Sequence, residues 1–138
     1  MTATGTDRVT APTRRLALVG AALVALLLTN LAVYGIGRAL GGAFVYRQDG
    51  LDVRVESVAV TLLTLGPLTS ALVVVALLAR RWPAAISVAR IAGPALAVLT
   101  IGVMTIPAGF DTTSAVCLAA MHLATIPAML FALNTLRR

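Results

Sequence analysis

"SVAVTLLTLGPLTSALVVVALLA", residues 57–79, holds no charged side chain and is closed by Arg80, Arg81 and Trp82. At 1.5 Å per residue this run makes about 34 Å of helix, enough to cross a hydrocarbon core of about 30 Å. A helix on the surface of a soluble domain would carry a polar stripe. This one has only scattered Thr, Ser, Gly and Pro. The arginine pair and the tryptophan mark one edge of the span, since cations and amphipathic aromatics gather at the membrane interface.

Three further stretches have the same character. "LALVGAALVALLLTNLAVYGIGRALGG" (16–42) precedes it; "ISVARIAGPALAVLTIGVMTIPAG" (86–109) and "TTSAVCLAAMHLATIPAMLFALNTL" (112–136) follow. Each has about twenty residues or more, the length a crossing requires. The expected fold is an all-α membrane protein, a bundle of four transmembrane helices in one domain over residues 16–138. Residues 1–15, "MTATGTDRVTAPTRR", are polar and predict a disordered cytoplasmic tail. A long run without a convincing small-residue cleavage site reads as a retained helix rather than a signal peptide.

Composition agrees. The chain has 138 residues, 59% hydrophobic and 12% charged, with mean hydropathy +0.98. A soluble domain of this size could not hide so much apolar surface. The net charge of +6 would suggest nucleic acid, but the arginines flank apolar runs and form no dense basic patch, so no nucleic-acid partner is expected. All eleven basic residues are arginine, a usage that also fits a GC-rich genome. The single cysteine, Cys117, excludes an intrachain disulfide and a cysteine-based metal cluster.

Arginine placement predicts orientation. Arg8, Arg14 and Arg15 precede the first span, Arg80 and Arg81 follow the second, and Arg137 and Arg138 end the chain. Arg90 can snorkel to the same side. The opposite connections carry Asp111, and Arg38, Arg47 and Arg54 balanced by Asp49, Asp52 and Glu56. The positive-inside tendency then gives a multi-pass cell-membrane protein with both termini cytoplasmic.

The first external connection, "FVYRQDGLDVRVE" (44–56), has the only strand signal. Asp49-Gly50 favours a two-residue hairpin turn, pairing Arg47 with Asp52 and Tyr46 with Val53. Phe44, Tyr46, Leu51, Val53 and Val55 then share one face, lying over the outer helix ends. Arg47, Asp52 and Arg54 share the other, and Asp111 joins the external surface. An ordered connector is the plain reading; a lid or partner surface is the functional one.

Depth counting adds a polar layer. His122 lies fifteen positions before Arg137, Asn30 fifteen after Arg15, Thr105 fifteen beyond Arg90 and Thr64 sixteen before Arg80. At helical rise each sits about 22 Å from the basic end, slightly toward the outer side. Polar groups in hydrocarbon need partners. His122 would bond Asn30 or a threonine and pin helix register, or line a small cavity as a proton acceptor or ligand donor. One histidine without a neighbouring Cys or carboxylate is not a metal ligand set, and no nucleophile–base pair can be assembled. No enzyme, cofactor or metal is expected.

Ala120, Ala124, Ala128 and Ala132 recur every fourth position, a ridge on which another backbone can approach closely, either within the bundle or from a second copy or membrane partner. Gly37-x-x-x-Gly41 is a weaker cue of the same kind. Arg14-Arg15 before the first span, Gly-Pro inside the second and third, and Asp111 leading to "AAMHL" (119–123) resemble the uncharacterised small four-helix membrane proteins of actinobacteria. That resemblance implies fold and membrane location and transfers no activity or site residue. Two functions stay open: a non-enzymatic binding or accessory membrane protein, or a small oligomeric transporter or channel using His122.

Overall fold

The computed structural model describes residues 6–137, with side chains from Thr13 onward. Four helices are long and apolar enough to cross a membrane. They are α1 (Thr6–Ala39), α2 (Ser57–Ala79), α3 (Ala85–Thr100) with a π-helical turn over Ile101–Thr105, and α4 (Thr112–Arg137). A hairpin of β1 (Val45–Gln48) and β2 (Leu51–Arg54) joins α1 to α2.

The second span begins and ends where the apolar run does. α4 keeps to within one residue of its run, while α1 and the third span depart from theirs. α1 starts at Thr6, inside the stretch expected to be a disordered tail; residues 1–5 lie outside the described residues. Extending a helix adds a backbone bond per residue without a second nucleation cost, so the apolar span carries the polar stretch with it. Its other end comes at Ala39, short of Gly42. There Arg38 Nη1 donates to the carbonyls of Gly42 (3.3 Å) and Ala43 (3.0 Å) and turns the chain.

The third span was expected to run as one helix to Gly109. It widens instead at Ile101–Thr105, where Ile106 N–H reaches back five residues to the Ile101 carbonyl at 3.1 Å. Pro107 lies next in sequence. Its ring crowds the carbonyl four residues back and it has no N–H to donate, which accounts for the looser preceding turn.

The interior has two apolar clusters with a polar rung between them. Near the termini, Leu26, Leu68, Leu72, Ile86, Met129 and Leu133 pack together with Ala132. Toward the hairpin, Phe44, Val60 and Met121 form the second cluster, with Tyr34, Val55 and Cys117 against it. Asn30 and Thr64 sit at the seam. The outward side chains are also apolar: Leu28, Leu63, Leu99, Val103 and Ile106 are each more than half exposed, an arrangement that suits hydrocarbon as the surrounding solvent.

The alanine ridge is used mostly inside this bundle. Ala132 is fully buried, Ala124 and Ala128 pack on the inner cluster, and Ala120 alone of the four is exposed.

Candidate functional site at the outer end

The hairpin forms in the expected register. Arg47 pairs with Asp52, Tyr46 with Val53 and Val45 with Arg54. Asp49 (φ 51°) and Gly50 (φ 80°) take the two left-handed turn positions, which a type I′ turn requires and which Asp and Gly accept at low cost. Tyr46 packs its ring on Phe110 at 5.5 Å between centroids, so the apolar face does lie over the helix ends. Leu51 is on that face too, but at the tip it stays exposed.

What holds the hairpin down is a corner the sequence reading did not foresee. Asp111 caps α4: its Oδ1 accepts from the Ser114 backbone N–H at 3.0 Å, the N3 position of the helix. Its Oδ2 accepts the Ser114 hydroxyl at 2.5 Å and the Ala43 N–H at 3.0 Å. The Ser114 oxygen in turn accepts the Phe44 N–H at 2.8 Å. Beyond it, Val55 N–H donates to the Phe44 carbonyl at 2.8 Å and the Tyr34 hydroxyl to the Val55 carbonyl at 3.1 Å. The run of bonds from this cap therefore ties α4 to both residues that flank the hairpin, Phe44 and Val55, and to α1.

Phe44 occupies the middle of this corner. Its ring is completely buried, 4.7 Å from that of Tyr34, and its backbone takes φ 52°. A left-handed conformation at an aromatic residue is strained, and it persists because both backbone polar groups and the ring are held. Two glycines make the space. A Cβ on Gly37 would lie 2.7 Å from both Cys117 Sγ and the Phe44 ring; one on Gly42 would lie 2.9 Å from the Gly37 carbonyl. Gly37 is thus a contact within the chain.

The electrostatics follow from the bonds. The Ser114 hydroxyl and then the Ser114 N–H hold the Asp111 carboxyl below the usual carboxylate range; desolvation opposes them, and the Ala43 N–H adds a smaller lowering. Asp111 is exposed at the hairpin end, and its oxygens are committed to the fold. Arg47 and Asp52 form an ion pair at 3.3 Å with both side chains mostly exposed, an interaction worth little by itself. With Arg54 they make up the polar face turned away from the bundle.

The polar layer forms in part. Asn30, 3% exposed, donates from Nδ2 to Thr64 Oγ1 at 3.0 Å, and its buried Oδ1 has no partner among the described residues. His122 does not join this pair. Its Nδ1 lies 2.8 Å from the Leu118 carbonyl of its own helix, so Nδ1 donates there and Nε2 has no hydrogen bond among the described residues. Depth counting gives the level of a residue but not its azimuth. Met121 faces the Phe44 cluster, and His122 is turned about 100° from it. Thr105 is buried in the π-helical turn but has no hydrogen bond to the Asn30–Thr64 pair. Gly93 lies against Met129; counting outward from that contact sets His122 near Thr100, with Thr105 about a turn further out.

A model for a family of unknown function, DUF6069, matches residues 9–138. The chain belongs to DUF6069. No curated protein and no solved structure matches it. The match runs through the hairpin, the Asp111–Ser114 corner and the Asn30–Thr64 rung, so all three belong to the DUF6069 domain and none is an appendage. Membership brings no assigned ligand, so the functional reading of this DUF6069 chain rests on its own geometry.

Proposed function

We propose that this chain is a non-enzymatic integral protein of the cell membrane, termini cytoplasmic, that serves as a binding or accessory component by presenting its outer hairpin to a partner. The observation that carries this reading is the pinned corner. A plain connector has no need of an aromatic residue locked in a left-handed conformation, or of a helix cap shared with the segment that enters the hairpin. Strain of this kind is retained where a surface must keep one geometry. The consequence is that Arg47, Asp52 and Arg54 stand on a base that does not swing.

The test is site-specific photocrosslinking in native membranes, with p-benzoylphenylalanine replacing Arg47 or Arg54. The expected result is an adduct of one defined mass from both positions, lost when Ser114→Ala unpins the hairpin. Adducts only to lipid or to itself, matching those from lipid-facing Leu62, would overturn the reading.

The transporter alternative draws on the buried Asn30 Oδ1 without a partner and the free Nε2 of His122. In proteoliposomes it requires a proton-coupled flux that His122→Ala abolishes while leaving the melting temperature in place.

A further inference from the structure

Between α1 and α4, on the half of the bundle that holds the termini, lies a groove of about 460 Å³ open to the side. Leu18, Ala22 and Ala25 line it from α1, and Ala124, Ala128 and Phe131 from α4. Its surface is almost wholly apolar. Along α1 it runs from Leu18 to Thr29, about 16 Å at helical rise, close to the depth of one leaflet of a 30 Å core.

The open end is charged. Arg14 and Arg15 precede Leu18 by four and three residues, which places them on the same helix face one turn outward. Side chains also lean toward the helix N-terminus, away from the groove and toward the membrane surface. Both arginines are exposed, and neither has an ion pair among the described residues. Across the mouth, Asn134 follows Phe131 by three and is exposed as well.

We infer that this groove is a site for an anionic phospholipid, one acyl chain lying between α1 and α4 and the phosphate held by Arg14 and Arg15. Three features favour this occupant over a second copy of the chain. The mouth carries two like charges that a symmetric neighbour would bring into repulsion. The groove has the length of a leaflet rather than of a full crossing. Guanidinium pairs suit phosphate oxygens, and basic clefts between helices at the membrane surface bind anionic headgroups.

The experiment uses the full chain taken from bilayers of equal phosphatidylglycerol and phosphatidylcholine, with retained lipid read by native mass spectrometry. Wild type should keep one phosphatidylglycerol in preference to phosphatidylcholine. Arg14→Gln/Arg15→Gln should weaken that preference about thirtyfold, the combined effect of two surface arginines on an anionic lipid. Ala25→Phe, which fills the groove and leaves the arginines, should abolish it too. Arg80→Gln/Arg137→Gln removes equal charge from the same end outside the groove and should change nothing. An equal loss in both arginine pairs, or retention in Ala25→Phe, would show surface charge alone and overturn the site. A wild-type dimer that Ala25→Phe dissociates, with no lipid preference, would assign the groove to a second copy instead.

Discussion

At Asp111 one carboxylate starts a helix and fastens a hairpin, and both tasks need its charge. Because its folded pKa is depressed, its contribution is complete above the ordinary carboxyl value near 3.8 and is lost as pH falls through the lower folded value. The unfolding midpoint in detergent should therefore drop on acidification below about pH 4. Asp111→Asn should melt lower at pH 7 and show a much weaker acid dependence. The glycines of the corner give a second contrast. Gly37→Ala puts a methyl into Cys117 and Phe44 and should cost about 1–3 kcal/mol. Gly35→Ala, two positions away with nothing within 4 Å of the added atom, should be neutral or gain up to about 1 kcal/mol from helix propensity. Thermal unfolding of the two variants side by side decides it. Part of this corner was readable in advance: Asp111-x-x-Ser114 before an apolar run is a helix-start pattern. The inversion at Phe44 was not, since tertiary packing selects it against the residue's local preference.

The hairpin and α2 are the elements most legible in the chain, because each depends on local signals. Asp49-Gly50 sets the turn and the alternation around it sets the register; the uncharged run of α2 ends where charge begins. α3 was misjudged at its outer end, where Pro107 acts on the turn before it and hydropathy gives no sign. Of the polar layer, Asn30 and Thr64 meet, while His122 bonds back to its own helix and Thr105 lies about a turn further out. The turn should be the hairpin's weak point. Gly50→Val forces a β-branched residue to φ 80°, which should cost about 1–2 kcal/mol and raise amide exchange across Val45–Arg54. Asp49→Asn, equally at home in the left-handed region, should leave that exchange unchanged.

Across the whole molecule, the four helices bring the start of α1 and the end of α4 to one side and the hairpin to the other. In a Cys117→Ala background, Gln48→Cys should react with an impermeant maleimide in intact spheroplasts, and Ala84→Cys only after permeabilisation; the reverse pattern would invert the proposed orientation. Charge is unequal along the same axis. Arg14, Arg15, Arg80, Arg81, Arg90 and Arg137 lie at the terminal end with Asp7, while Arg38, Arg47 and Arg54 at the other are balanced by Asp49, Asp52, Glu56 and Asp111, so the excess of arginine is terminal. A bilayer would turn this imbalance into a ratchet. To turn over, the molecule must carry those arginines through hydrocarbon, at about 2.5–3.5 kcal/mol each even on insertion scales. Orientation is then decided once, during synthesis, and a molecule inserted the wrong way has no thermal route back.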